Sequence, residues 1–256
     1  MITLRDGGAI RPLLRYETRS AASLRLSYVL LGAAALTVPS TAMFAGAGAP
    51  MALDAVVYAP MAFLAILLQI FGASRLGYEY RYRQVMLLHV FAPRRMISYS
   101  AKLIFVTLVG ASVAVMVLGL GVGLGFLSGH DTVFQSGAHT TQWLSAFGRG
   151  AFVAMFYAVA GLTAAALTRS LMRGVLLLIV ESSIIEPVAV IALGDRSPWL
   201  SNVLPFSVAR NVLGLGAGGA DLSSMGGGVV TQALVLVAWS VALVTVGFWC
   251  YVRNES

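Results

Sequence analysis

The stretch LIFVTLVGASVAVMVLGLGVGLGFL, Leu103 to Leu127, runs for 25 residues without one charged side chain. As a helix rising about 1.5 Å per residue it outreaches the roughly 30 Å hydrocarbon layer of a bilayer. Its apolarity is continuous rather than alternating, which argues for a helix that closes its own backbone hydrogen bonds in lipid and against a barrel strand. Five more blocks of this kind occur, at residues 26–44, 52–74, 150–168, 174–193 and 229–251. The 256 residues are 59% hydrophobic and only 11% charged, and the mean hydropathy is +0.86, so no water-soluble fold could bury the chain's apolar surface. The expected architecture is all-α and polytopic, a single transmembrane domain over residues 1–256 with 103–127 as the third of six spanning helices.

Working outward, the basic residues give the expected orientation. With both termini on one side, fourteen of the seventeen fall on that side: Arg5, Arg11, Arg15, Arg19, Arg25, Arg75, Arg81, Arg83, Arg94, Arg95, Lys102, Arg169, Arg173 and Arg253. Arg149, Arg196 and Arg210 are left for the other. Basic residues mark the cytoplasmic side, so a multi-pass cell-membrane protein with both termini in the cytoplasm is expected. The net charge of +7 does not point to nucleic acid, because the arginines flank apolar blocks instead of decorating a soluble, aromatic-studded surface. The basic start and the small residues at Ala45, Ala47 and Ala49 imitate a signal peptide, but the basic region is too long for one, and an uncleaved first span is expected. One cysteine, Cys250, allows no internal disulfide.

Immediately before the third span lies the chain's most charged strip, EYRYRQVMLLHVFAPRRMISYSAK, Glu79 to Lys102. Glu79 and Arg83 are four apart in the order that favours a helical ion pair, and Tyr78 and Tyr82 repeat the spacing. An apolar patch follows, Val85 to Leu88 with Val90 and Phe91, and Pro93 ends any helix before Arg94 and Arg95. A helix, a greasy segment, a break and a second helix entering the membrane make a segment built to dock. Further upstream Arg11, Arg15 and Arg19 sit four apart, a spacing that suits either an interfacial amphipathic helix on anionic lipid or a plain basic anchor.

With these residues in place, the chain resembles the membrane subunits of ATP-binding-cassette exporters of the type 2 permease class. In that family the second span runs into a cytoplasmic stretch with a Glu, two leucines, a Pro followed by basic residues, and a Lys that opens the third span. Here those positions are Glu79-Tyr80-Arg81, Leu87-Leu88, Pro93-Arg94-Arg95 and Lys102, with the Pro 14 and the Lys 23 residues after the Glu. The family's Gly-Thr is replaced by Arg83-Gln84. RYETRS, Arg15 to Ser20, looks like the family's amphipathic connecting helix, and Glu186-Pro187 followed by Leu204-Pro205 looks like its fifth span and outer re-entrant segment. The resemblance implies that Glu79, Arg81, Arg83, Leu87, Leu88, Pro93, Arg94 and Arg95 form a coupling helix seated on a separate ATPase subunit. It also implies that a second permease copy, identical or not, completes the pathway.

The division of labour has a physical basis. A P-loop needs glycine-rich backbone amides followed by Lys and Ser or Thr, and the only lysine, Lys102, has no such context, so ATP and Mg are expected on the partner and no cofactor on this chain. GLGAGG, Gly214 to Gly219, matches a dinucleotide pattern only in letters, since it sits in an expected outer loop rich in Trp199, Leu200, Leu204 and Phe206 that suggests a short helix or re-entrant piece at the outer interface. Gly119, Gly121, Gly123 and Gly125 read as close helix packing. His130, Asp131 and His139 lack metal-ligand spacing, and no metal is expected.

Glu181 and Glu186 fall inside the fifth span, where a carboxylate facing lipid is costly. Five residues put them on different sides of the helix. Glu181, Ser182 and Glu186 are the candidates for a pathway or gate, with Ser183 beside them; the alternative is that one or both glutamates are held by neighbouring groups such as Gln69 or by backbone freed by Pro187, and Glu186, before Pro187, reads better as structural. The expected function is the permease subunit of an ATP-driven exporter and not an enzyme. The alternatives are a proton-coupled secondary transporter working through the two glutamates and a non-transporting membrane scaffold.

Overall fold

The computed structural model describes residues 14–19, 32, 53–82, 95–127, 140–193, 197, 199–213 and 229–253. The expected first span apart from residue 32, Arg11, the strip from 83 to 94 with Arg83, Leu87, Leu88, Pro93 and Arg94, the His130–Asp131–His139 loop and Gly214 to Gly219 lie outside them. The elements in chain order are α1 Leu53–Tyr82, α2 Arg95–Leu127, α3 Thr140–Thr168, α4 Leu171–Val180, a π-helical turn Glu181–Ile185, α5 Glu186–Leu193, a 3-10 turn Leu200–Asn202, α6 Pro205–Val212 and α7 Val229–Arg253. Among the described residues there is no strand.

Five helices are long and apolar enough to cross a membrane: Pro60–Tyr82, Met96–Gly123, Leu144–Thr168, Leu171–Leu193 and Val230–Arg253. They coincide with the last five expected blocks, as in a multi-pass membrane protein, with one systematic difference. α1 continues past residue 74 to Tyr82 and α2 starts at Arg95, before residue 103. Hydropathy ends a span at its first charges, whereas the backbone has no reason to leave a helix there. Arg75, Glu79 and Lys102 remain on helical turns because their charges are met inside the bundle.

α3 is the central helix, packed on α1, α2, α4 and α7. Its inward residues are small, with Ala154, Ala158, Ala160, Gly161 and Ala164 to Ala166 all buried. Helices in lipid gain little from excluding water, so they associate through close backbone approach, which small side chains permit. The closest approach is to α1. A Cβ on Gly72 would run into the carbonyl of Ala158, and one on Gly161 into the carbonyl of Gln69, both deep inside van der Waals contact. Of the four α2 glycines expected to serve helix packing, Gly119 and Gly123 make no close contact within the chain, since a Cβ on either meets nothing within 4 Å, whereas Gly121 is buried. A run of glycines is legible in sequence; which helix backbone faces it is not.

α7 docks on the same core near the end that carries Glu79 and Lys102. Tyr99 of α2 is buried against Phe248 and Tyr251, with ring centroids 6.0 and 5.5 Å away, and Thr163 Oγ1 donates to the Leu243 carbonyl at 3.1 Å. Gly247 makes room for the Tyr99 hydroxyl and for Thr163 Oγ1, which would lie 3.0 Å from a Cβ there. Gly247→Val is expected to push α7 off this seat and cost about 1–3 kcal/mol, the usual penalty of overpacking, measured as a lower unfolding midpoint in detergent. α4–α5 and α7 keep broad apolar faces outward, including Leu176, Ile184, Val188, Ile191, Leu234 and Val241.

Candidate functional site

Charge is gathered at one end of the bundle. Lys102, on the second turn of α2, is only 1% exposed, and its Nζ donates to Glu17 Oε1 at 2.5 Å and to Glu79 Oε1. Glu79 lies on the last turn of α1, and Glu17 on the helical stretch 14–19 of the N-terminal arm. Arg75, four residues before Glu79, places its guanidinium 5.1 Å from the Phe71 ring centroid and 5.8 Å from that of Phe105. All four charged side chains are buried. Two carboxylates face two cations, so the cluster is neutral overall. Burying any one member without its counter-charge would cost several kcal/mol.

Antiparallel α1 and α2 bring Glu79 and Lys102 to the same height, although 23 residues separate them. These are the two residues that bound the strip, so the ion pair closes the strip at its root. Glu17 then ties the N-terminal arm to the same root across 85 residues of sequence. Arg83, the partner that the four-residue spacing suggested for Glu79, lies outside the described residues. Glu79 itself is buried. Arg81 and Tyr82 do face outward, the Arg81 guanidinium lying 5.8 Å from the Tyr82 ring, and Tyr82 stacks on Tyr78 at 6.3 Å as the four-residue spacing implies.

The arm carries Arg15 and Arg19 exposed and Glu17 buried between them. Partial burial pushes the Tyr16 phenol above its ordinary value, and Glu79 adds to the shift. The sequence reading missed Glu17 and treated Arg75 only as a topology marker. The available signal was a lone acid inside an arginine-bearing segment, RYETR, opposite the only lysine.

In the candidate span Leu171–Leu193, α4 gives way to the π-helical turn at Glu181, where the Glu186 N–H reaches back five residues to the Glu181 carbonyl. Pro187 has no N–H to return to the ladder, which is the local cause of the widened turn. Glu181 and Ser182 are half-buried and Ser183 exposed, on a crossing that otherwise shows mainly aliphatic side chains outward. Glu186 faces the bundle interior and is 1% exposed.

The Glu186 carboxylate accepts from the Phe206 N–H at 3.0 Å, the Ser207 N–H at 2.6 Å and the Ser207 hydroxyl at 2.9 Å. It thereby caps α6 from another helix, filling the orphan donors that Leu204 and Pro205 cannot satisfy. Arg210 donates to Ser207 Oγ at 3.2 Å. Glu186 is thus structural in its contacts, and its partner is the segment that begins α6. That segment contains a short helix folded into the bundle: Phe206, Ser207, Val208, Ala209 and Val212 are buried, while Trp199 and Val203 before it are exposed. No protein-family model matches the chain, and no curated protein is significantly similar to it.

Proposed function

We propose that the chain is the membrane-spanning permease subunit of an ATP-binding-cassette exporter, coupled to a separate ATPase subunit and completed by a second permease copy. The observation that carries this is the closed root of the strip. Lys102 holds Glu79 and Glu17 together, so a force applied to residues 83–94 reaches α1, α2 and the N-terminal arm at once. A flexible loop would dissipate that force; a loop whose two ends are joined by a buried ion pair cannot spread apart. In this scheme Arg81, Arg83, Leu87, Leu88, Pro93, Arg94 and Arg95 meet the ATPase on the cytoplasmic side. Glu79 positions them, Arg11, Arg15 and Arg19 rest on anionic lipid, and Glu181 and Ser182 belong to the pathway. ATP and Mg are bound by the partner.

Purification of the tagged chain from its own cells is expected to bring down a P-loop ATPase, and Arg94→Glu with Arg95→Glu is expected to reduce its recovery at least about tenfold, the equivalent of 1.4 kcal/mol. Recovery of no ATPase with the unaltered chain would sink the proposal. The half-buried Glu181 on the widened turn favours one rival, a proton-coupled transporter. Transport abolished by an uncoupler while ATP is maintained would select it.

A further inference from the structure

α6 is a short helix sunk into the bundle at the end opposite the Glu17–Lys102–Glu79 cluster. Phe206 stacks on Tyr157 at 5.6 Å and meets Phe156 edge-on at 5.7 Å, both on the central helix α3, while Val208 and Ala209 are fully buried. It is not carried by a long helix of its own. Two spanning elements hold it by polar contacts: α5 through Glu186, and α7 through Trp239, whose Nε1 donates to the Val203 carbonyl at 2.7 Å. Within the segment Asn211 Nδ2 donates to the Ser201 carbonyl at 3.1 Å, so the 3-10 turn and α6 form one unit.

Glu186 follows directly on the π-helical turn. Such a turn contains one residue more than an α-helix accommodates, and moving that extra residue along the helix rotates everything it passes by about 100°. At Glu186 such a rotation would carry the carboxylate away from α6 and withdraw three hydrogen bonds together. Pro187 already breaks the backbone ladder here, so the shift sacrifices fewer hydrogen bonds than it would elsewhere in the crossing.

We infer that α6 is the gate at the outer end of the transport pathway and that Glu186 is its latch, released when the widened turn at Glu181–Ile185 shifts register. Glu186 acts as a positioning residue, since it holds the gate and touches no cargo. The inference rests on the export function proposed above, under which the end opposite the cluster must open during each cycle.

The test uses spin labels at Trp199→Cys and Val241→Cys, both exposed positions, in a Cys250→Ala background reconstituted in lipid nanodiscs with the co-purifying ATPase. Without nucleotide one short separation is expected, with any longer one below about a tenth of the population, as for a minor state. Trapping with ATP and vanadate is expected to make the longer separation dominant, and Glu186→Ala is expected to do so without ATP. Trp239→Phe, which removes a single hydrogen bond and keeps the ring, should raise the longer population by a smaller amount, and it serves if Glu186→Ala does not fold. ATP hydrolysis with an unchanged separation would overturn the latch and leave the export function standing. Absence of any ATPase partner would overturn the export function instead. The nucleotide-free comparison then still bears on the latch: an unchanged separation in Glu186→Ala and Trp239→Phe would overturn that too.

Discussion

Replacing Lys102 by Met is expected to cost about 3–5 kcal/mol, the penalty for removing one partner of a buried ion pair. The substitution keeps the side-chain volume while stripping Glu17 and Glu79 of their shared donor. Among the described residues Arg75 is then the one buried cation left in the cluster, against two carboxylates. A steep fall in unfolding midpoint and a protease-sensitive N-terminal arm should follow. Adding Glu79→Gln to Lys102→Met is expected to recover much of the lost stability, because one carboxylate, Glu17, is then left against one cation, Arg75, and the cluster is again neutral. Equal destabilisation in the single and the double variant would show that the loss was one of packing rather than charge. Under the proposed function the double variant should remain uncoupled from the ATPase even when folded, since the root would be shaped but not tied.

Gly161→Leu is expected to do comparable or greater damage for a different reason. Its side chain would have to occupy space held by the Gln69 carbonyl and the Ala73 amide of α1, and backbone atoms cannot rotate away as a side chain can. Overpacking of a core usually costs about 1–3 kcal/mol; here the two helices must separate, so the upper end or beyond is expected, together with loss of monodisperse protein in detergent. Gly119→Ala is the matched control. A Cβ there meets nothing within 4 Å, and alanine gains roughly 1 kcal/mol of helix propensity over glycine, so this variant should be neutral or slightly stabilised. The two glycines look alike in sequence, and opposite outcomes are expected.

That contrast shows which parts of the molecule its sequence makes legible. The membrane helices were readable because a spanning helix needs only about 20 apolar residues, a local property. Their ends were not, because the continuation of α1 to Tyr82 depends on Lys102 meeting Glu79 from another helix. The strip stood out by its charge and by its spacing from Glu79 to Lys102. Which of its charges face inward depends on how α1 and α2 pair, and no periodicity within either helix reports that. Glu17 was hidden for the same reason, its partner being 85 residues away. Glu186 was suspected to be structural from Pro187 alone, yet its actual role, capping a helix that begins at Pro205, required the outer segment to fold back into the bundle. Gly119 and Gly123 of α2 misled because small residues license close packing without naming a neighbour.

The central claim is that the strip between Glu79 and Lys102 sits on a separate nucleotide-hydrolysing protein. A photo-crosslinking amino acid placed at position 88, activated in intact cells, tests it most directly. One dominant adduct is expected, with a soluble partner that mass spectrometry shows to contain a P-loop, and it should weaken when Lys102 is replaced by Met and the root of the strip is untied. Adducts with lipid alone, or labelling of position 88 by a membrane-impermeant reagent added outside the cell, would contradict the account.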